Sequence, residues 1–166
     1  MESPEGCVVA DTGPLLALAR LDGLGWLAEL FGRVLIPNSV WAEATLRTDK
    51  PEVPKLQQYL KSDTRFSIVA DVLDARCDAQ SLDVGERAAI GLALHRSCVV
   101  LLDDRQARTE ARALDLRVIG TLGVLAMAKQ KGRISKIAPL IRQLRRSGYF
   151  LGDSLVRETL LATGEG

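Results

Sequence analysis

The sequence predicts an α/β fold built on a parallel β-sheet that helices cover on both faces. Three observations lead to this prediction. Short apolar runs of strand length recur between residues 7 and 120, segments of helical periodicity separate them, and no internal repeat or low-complexity linker interrupts the pattern. Strands that alternate with helices of this length are joined by right-handed crossovers, which make the strands parallel. The helices then lie on the two faces of the sheet.

Five apolar runs are the predicted strands: Cys7–Ala10, Val34–Ile36, Phe66–Val69, Cys98–Leu102 and Arg117–Ile119. The segments between them carry apolar residues three and four positions apart, which is the spacing of one helix face. The clearest examples are Leu15, Leu18, Ala19 and Leu21 after the first run, and Ala89, Ile90, Ala93 and Leu94 before the fourth. The segments "RQARTEARALDL" and "TLGVLAMAKQKG" predict helices after the fourth and fifth runs.

The last part of the chain is predicted to be helical throughout. In "SKIAPLIRQLRRSG" a stripe of apolar residues has helical spacing, and a final helix is expected from about Asp153 to Thr163, ending before Gly164. We therefore expect one domain over residues 1–166. Its α/β core spans about 7–120, and its C-terminal helices span about 121–164.

Composition favours a soluble globular protein, with 47% hydrophobic and 26% charged residues in a chain of 166. No apolar run approaches the roughly 18 residues of a membrane span, and no secretory leader precedes Cys7. The three cysteines, Cys7, Cys77 and Cys98, lack the spacing of a metal site. For Cys7 and Cys98, which lie in predicted strands, buried free thiols are the ordinary expectation. These features predict a protein of the reducing cytoplasm without a membrane partner.

Charge is distributed unevenly along the chain although the net charge is only +1. The stretch 116–152 contains no Asp or Glu, and it holds Arg117, Lys129, Lys131, Arg133, Lys136, Arg142, Arg145 and Arg146. A basic flank of this kind is typical of a surface that holds phosphate groups. It is equally the composition of a solvated helix face, and the sequence leaves both interpretations open.

Several carboxylates follow the predicted strands or begin the next helix: Asp11, Glu43, Glu86, Asp103 and Asp104. In a parallel sheet the loops after the carboxyl ends of the strands share one edge, where ligands bind. Helix capping alone would explain Glu43 or Glu86, but acids brought together at strand ends repel one another. A hard cation such as Mg²⁺ or Mn²⁺ relieves this repulsion, and no His or Cys cluster indicates a softer metal. The single histidine, His95, is expected to be structural.

Five motifs occur in an order and spacing that resemble the PIN-domain superfamily, and in particular its PIN-like branch related to the VapC-type toxin nucleases. They are "VVADTGPLLAL", "VLIPNSVWAEA", "LDVGERAAIGLAL", "VVLLDDRQAR" and "VIGTLGVLAMAKQKG". The resemblance covers the chain from about Val8 to Leu161. It implies a three-layer α/β/α sandwich around a parallel sheet of about five strands. It also implies an acidic pocket that binds Mg²⁺ or Mn²⁺ for phosphodiester hydrolysis of RNA.

Position by position, the resemblance implies that the catalytic acids are Asp11, Glu43, Glu86 and Asp104. Asp11, Glu86 and Asp104 are the implied metal ligands, and Glu43 and Asp103 are further candidates. Thr12, Arg105, Arg142, Arg145 and Arg146 are the candidate phosphate or RNA contacts. The chain departs from the pattern at Gly13, where many PIN domains have Ser or Asn, and at Leu102, where many have a hydroxyl residue. It departs again at Glu86, where Asp is common. These departures bear on rate and substrate positioning.

The resemblance also implies an RNA substrate, a small antitoxin protein as partner and a homodimer. The alternative is a catalytically silent RNA-binding or regulatory PIN-like module, which metal-dependent cleavage would exclude. The string "GDSL" at Gly152–Leu155 spells a serine esterase motif. No histidine follows Ser154, so that chemistry lacks its base. The start of the last helix explains the string.

Overall fold

The computed structural model describes residues 6–46, 49–78 and 80–166, and these form a five-stranded, fully parallel sheet. The strands are β1 (Cys7–Ala10), β2 (Arg33–Pro37), β3 (Phe66–Val69), β4 (Val99–Leu101) and β5 (Val118–Ile119). All five predicted strands are therefore confirmed, and the fifth is reduced to two residues.

The helices of the described residues alternate with these strands and then complete the chain. They are α1 (Thr12–Arg20), α2 (Leu24–Phe31), α3 (Asn38–Ala44), α4 (Glu52–Ser62), α5 (Val84–Arg96), α6 (Arg105–Ala113), α7 (Thr121–Gln130), α8 (Ala138–Arg146) and α9 (Asp153–Ala162). Helix α4 was not predicted, because its short apolar stripe rests on Val53, Leu56 and Tyr59 amid polar residues. Gly32 ends α2 with φ of 90°, a conformation that glycine adopts without steric cost.

The strand order is β3-β2-β1-β4-β5, so the chain leaves the central strand β1 in one direction and later returns to add β4 on its other side. Successive side chains of each strand point to opposite faces. Val8, Val34 and Leu101 pack in a core with α1, α2, α7 and α8, whereas Val9 and Val100 pack in a second core under α5 and α6. The result is the expected three-layer α/β/α sandwich. The loops after β1 and β4 diverge at the topological switch point, where α/β proteins bind ligands.

Cys7 and Cys98 form a disulfide with Cα atoms 5.0 Å apart. The expectation of free thiols at these positions is wrong, and the argument for a reducing compartment loses its basis with it. The physical reason is strand adjacency. Val8 lies opposite Val99 in the parallel register, so the preceding residues stand side by side, and composition could not reveal this. Cys77 is buried and outside the disulfide.

Glu165, close to the C-terminus, ties three helical segments together. Its carboxylate accepts hydrogen bonds from the Lys129 ammonium group (2.8 Å) and from the backbone N–H groups of Ile137 (2.8 Å) and Ala138 (3.1 Å). Burial alone would raise the pKa of Glu165, but these donors outweigh burial and lower its pKa to about 2. Within residues 6–46, 49–78 and 80–166, none of the helices has the length and apolar character needed to cross a bilayer.

Candidate active site at the carboxyl edge of the sheet

The fold brings the acids that follow β1 and β4 to one edge of the sheet. Asp11 comes directly after β1 and is the N-cap residue of α1, although its side chain makes no capping hydrogen bond. Asp104 follows β4 by two residues and caps α6, where one carboxylate oxygen accepts from the Ala107 N–H at 2.9 Å. Strands β1 and β4 are neighbours, with Ala10 opposite Leu101. Asp11 and Asp104 therefore follow the adjacent carboxyl ends of these two strands.

The carboxylates converge most closely over Gly85, in the first turn of α5. A Cβ atom added to Gly85 would lie 3.1 Å from Oε2 of Glu43 and 3.5 Å from Oδ1 of both Asp11 and Asp83. These three acids come from three separate segments, and Glu43 is carried by α3, which packs against α1 and α5. Glycine therefore leaves open a space that carboxylate oxygens surround.

Asp11 is buried, with only 8% of the residue exposed. Burial and, to a smaller extent, the nearby carboxylates of Asp83, Glu86 and Glu43 together raise its pKa from 3.8 to about 7. The backbone N–H of Thr12 opposes this shift only in part. The ionised form of Asp11 is thus costly in the protein alone, and a cation placed beside it would recover that cost.

Asp83 and Glu86 form a reciprocal capping box at the start of α5. The Glu86 N–H donates to Oδ1 of Asp83 at 2.7 Å, and the Asp83 N–H donates to Oε1 of Glu86 at 3.0 Å. Burial raises the pKa of Glu86 to about 7, with Asp83 and Asp104 adding to the shift. Asp83 was not among the predicted site residues. The signal for it was the spacing of Asp83 and Glu86 in "LDVGER", which is that of a capping box.

Glu43 is exposed and is held in place by Thr12, whose hydroxyl donates to Oε2 of Glu43 at 2.9 Å. Thr12 itself is buried. In the structure Thr12 holds one acid of the site, and its contact with phosphate or RNA stays a prediction. The exposed Glu43 consequently faces solvent while one of its oxygens keeps a fixed position beside Asp11.

Asp103 points away from α5 and toward the C-terminal helices. It accepts from the Thr121 N–H (2.8 Å) and hydroxyl (2.5 Å), and also from the Tyr149 hydroxyl. Tyr149 occupies the space beside Gly13, because a Cβ on Gly13 would lie 3.3 Å from the Tyr149 hydroxyl oxygen. Burial and the charge of Asp103 raise the pKa of Tyr149, so it remains a neutral donor. No periodic or motif pattern in the sequence indicates Tyr149.

Comparison with known proteins identifies the family of the chain. The family model described as a PIN domain (DUF3368) matches residues 7–165. The chain belongs to the PIN-domain family. PIN domains are generally nucleases and typically bind divalent metal ions, so this is a nuclease-type domain. The predicted resemblance to the superfamily is confirmed, and the relation to the VapC branch stays a prediction.

One solved structure with the same fold is a PilT N-terminus domain protein, SSO1118, from the hyperthermophilic archaeon Sulfolobus solfataricus P2. It shares 15% identity with a TM-score of 0.53, and the match covers 74% of this chain and 92% of that one. At this identity the likeness establishes the fold alone. No curated protein matches the chain.

The donor set of this PIN domain fits a hard divalent cation, because every acid of the cluster offers carboxylate oxygen and no His or Cys side chain accompanies them. In the part of the chain that the structure describes, no three Asp, Glu, His or Cys side chains already stand as a metal-binding group. Hydrogen bonds already engage one oxygen each of Glu43, Glu86 and Asp104. Asp11, Glu86 and Asp104, with Glu43 and Asp83 beside them, are the residues that would hold the ion.

The predicted phosphate contacts fall in two places. Arg105 is exposed and directly follows Asp104 at the start of α6. Helix α8 contacts the C-terminal end of α1 through a bond from Gln143 to the Arg20 carbonyl (3.4 Å). Arg145 pairs with Asp153 (2.8 Å) and donates to the Leu151 carbonyl (2.9 Å), whereas Arg142 and Arg146 are exposed. Arg105 therefore lies beside an acid of the site, and phosphate contact by the α8 arginines stays a prediction.

Proposed function

We propose that this PIN domain is a Mg²⁺- or Mn²⁺-dependent endoribonuclease. The observation that carries the proposal is the convergence of Asp11, Glu43 and Asp83 over Gly85, at the switch point of a fold whose family is generally nucleolytic. A carboxylate that is buried without a cationic partner costs stability, and such groups concentrate at functional sites. Structural capping accounts for Asp83 and Asp104, but it leaves Asp11 unexplained.

Each acid has a distinct part in the proposed reaction. Burial raises the pKa of Asp11 and of Glu86 to about 7, and a bound cation would favour the ionised form of both acids. Asp104 and Asp83 would add carboxylate oxygens from the helix starts. Glu43, exposed and held at one oxygen by Thr12, orients the attacking water. A bound Mg²⁺ or Mn²⁺ lowers the pKa of water and neutralises charge that grows on the phosphate.

A role as the toxin of a toxin–antitoxin pair extends this proposal and rests on the resemblance to VapC-type nucleases. On this proposal a small antitoxin protein covers the acidic edge and silences the enzyme. Expression of the wild-type chain alone should then arrest growth, and expression of the Asp11→Asn variant should not. Equal growth with both chains would remove the toxin role and leave the nuclease proposal intact.

A second candidate is an RNA-binding or regulatory module that cleaves nothing. The observation in its favour is that the described residues include no preassembled metal group, because capping and side-chain hydrogen bonds engage Glu86, Asp104 and Glu43. This candidate predicts RNA binding that is indifferent to metal and to loss of Asp11.

Cleavage of end-labelled RNA with Mn²⁺, Mg²⁺ or EDTA distinguishes the two candidates. Wild-type protein should cleave with either metal and not with EDTA, and Asp11→Asn and Asp104→Asn should each lower the rate at least about a hundredfold, the scale of removing one electrostatic contact to the transition state. Asp115→Asn is the matched control, because Asp115 is exposed with φ of 62°, a conformation that Asn tolerates, beyond the end of α6. RNA binding without metal-dependent cleavage would favour the silent module.

A further inference from the structure

A groove leads away from the acidic site between α6 and the start of α9. It consists of two adjoining cavities of about 270 and 540 Å³ that share Asp103, Arg108, Phe150, Gly152 and Leu155 as lining residues. We call it the α6–Phe150 groove. Since Asp103 lines both cavities and Asp104 belongs to the acidic site, the groove begins where the proposed reaction would take place.

One wall of the groove is basic. Arg105, Arg108 and Arg112 line it, and their spacing of three and four residues places them on one face of α6. Arg108 is fixed, because its guanidinium donates to the Leu102 carbonyl at 2.8 Å. Gly120 permits this approach, since a Cβ there would lie 2.6 Å from Nη1 of Arg108. The Arg108 side chain thus provides a stationary positive charge in the floor of the groove.

Arg105 and Arg112 extend this charge to the rim. Both are exposed, and among the described residues neither makes an ion pair. Burial lowers the pKa of Arg108, and the charge of Arg112 adds to this effect, which shows that the two guanidinium groups lie close together. Besides Asp103, Glu158 is the acid that faces the groove. Arg105 and Arg112 thus lie near Arg108 without forming ion pairs among the described residues. Guanidinium groups in this arrangement form a site that a phosphate group complements.

The opposite rim presents an aromatic ring to solvent. Phe150 is 87% exposed, although its two neighbours are anchored. The Tyr149 hydroxyl donates to Asp103, and the buried Leu151 accepts at its carbonyl from Arg145 at 2.9 Å. An exposed ring on a backbone fixed from both sides contributes little to folding, and it has the form of a platform on which a nucleic-acid base stacks.

We propose that the α6–Phe150 groove binds a single-stranded RNA segment that flanks the cleaved phosphate. Arg105 and Arg112 contact its phosphates, and Phe150 stacks on one of its bases. The proposal rests on the proposed function, because it assumes an RNA substrate. A single strand is favoured over a duplex since stacking on Phe150 requires an unpaired base, while the arginines by themselves would accept either.

Fluorescence anisotropy with a labelled 12-nucleotide single strand in EDTA measures this binding without cleavage. Phe150→Ala should weaken binding about 5- to 150-fold, the range known for loss of one base stack, whereas Phe150→Trp should preserve it. Affinity for the same sequence as a duplex should be unchanged in Phe150→Ala. Arg112→Ala should weaken both forms and lower the salt dependence by the amount of about one phosphate contact.

Two variants serve as matched controls. Leu161→Ala removes another exposed apolar side chain (69% exposed) from a position of α9 outside the groove lining, and Arg96→Ala removes an exposed arginine from the far end of α5. Both should bind RNA as the wild type does. Equal affinity of Phe150→Ala and wild type for the single strand would overturn the proposal, as would equal losses in the controls.

Cleavage with Mn²⁺ separates failure of the groove from failure of the nuclease proposal. With an active enzyme, Phe150→Ala should raise KM and leave kcat nearly unchanged. If the wild type cleaves and Phe150→Ala has the same KM, the groove proposal fails alone. If nothing is cleaved but the groove variants still lose RNA binding, the nuclease proposal fails alone. A change of oligomeric mass in Phe150→Ala with intact RNA binding would reassign the groove to protein contacts.

Discussion

Strands β1 and β4 lie side by side in the sheet, and a covalent bond ties their amino ends whereas carboxylates crowd beyond their carboxyl ends. The Cys7–Cys98 disulfide joins the two strands across 91 residues of sequence. At the other end, burial and, to a smaller extent, neighbouring acids raise the pKa of Asp11 to about 7. At the amino ends of the strand pair a disulfide stabilises the fold. At the carboxyl ends the ionised form of a buried acid destabilises it.

Glu165 shows that the cost does not come from burying a carboxylate as such. Its side chain is only 8% exposed, yet three donors surround it and lower its pKa to about 2. Asp11 has the opposite shift, because burial raises its pKa most, the nearby carboxylates add to the shift, and the backbone N–H of Thr12 opposes it only in part. Glu165 has enough donors to hold its charge whereas Asp11 does not, and such an imbalance is what a functional site is expected to have.

The largest effect on stability is expected from the disulfide. Replacing both cysteines, Cys7→Ser with Cys98→Ser, should lower the free energy of unfolding by about 4 kcal/mol, because the bond closes a long loop in the unfolded chain. Urea unfolding of the wild type with and without a reducing agent should give the same difference. The double variant is the control, as a reducing agent should not affect it. If a reducing agent leaves wild-type stability unchanged, the Cys7–Cys98 disulfide does not stabilise the sheet as described.

The second effect has the opposite sign and concerns Asp11. Its pKa is higher in the folded protein than the usual 3.8, so the unfolded chain loses its proton first, and wild-type stability falls as pH rises from about 4 to 7. In EDTA at pH 8, Asp11→Asn should therefore be more stable by up to about 4 kcal/mol, and near pH 4 this advantage should vanish.

Urea unfolding at the two pH values checks this expectation. Asp115→Asn, an exposed control, should change stability by less than about 0.5 kcal/mol at either pH. If Asp11→Asn is less stable than the wild type at pH 8, Asp11 has stabilising partners. The contrast between the disulfide end and the acidic end of β1 and β4 then disappears.

Glu165→Gln sharpens the comparison, since loss of this charge should destabilise the fold. The expected loss is about 2 kcal/mol, because hydrogen bonds to a charged group are replaced by weaker neutral ones. The lowered pKa means that the stabilisation is present above about pH 4.5 and disappears as pH falls toward 2. Thermal unfolding at pH 7 measures the loss. Glu158→Gln, an exposed change on α9, is the control, and an equal effect of the two would refute the role of Glu165.

Gly85→Ala should have the smallest effect on stability and should act on the site. Its methyl group would lie 3.1 Å from Oε2 of Glu43 and would strain the hydrogen bond from Thr12 to that oxygen. Because Glu43 is exposed and Ala favours a helix over Gly, the free energy of unfolding should change by less than about 1 kcal/mol. The variant should nevertheless bind Mn²⁺ more weakly, because the methyl group fills the space that the acids surround. Unchanged stabilisation by Mn²⁺ would place the cation elsewhere.

Periodicity and strand-end acids were sufficient to predict the sheet, the layers and the sheet edge that Asp11 and Asp104 follow. That these acids and Glu86 hold one cation stays a prediction. The same patterns failed where the outcome depends on which strands are neighbours or on how the chain returns late in the sequence. The disulfide depends on the adjacency of β1 and β4, and Tyr149 reaches Asp103 from 46 residues away. Neither contact leaves a local pattern. Asp83 does have a local pattern, the capping-box spacing of Asp83 and Glu86, although Glu86 alone fits the family pattern.

The α8 arginines illustrate what charge alone leaves open. Charge makes Arg142, Arg145 and Arg146 candidate phosphate contacts, which they remain, and in the structure Arg145 is engaged with Asp153 and the Leu151 carbonyl. Their helix packs beside the C-terminal end of α1. Charge along a sequence does not specify which edge of the sheet a helix will occupy. The arginines of α6 lie next to the acids because they follow Asp104 directly.

The central claim is that the unpaired acids at the carboxyl edge form one divalent-cation site. Its most direct test is urea unfolding at pH 8 of the wild type and Asp11→Asn, each in EDTA and in Mn²⁺. The wild type should gain about 2.7 kcal/mol when Mn²⁺ exceeds its Kd a hundredfold, and Asp11→Asn, already more stable in EDTA, should gain almost nothing. An equal response of the two proteins to Mn²⁺, or no response of the wild type, would contradict the claim.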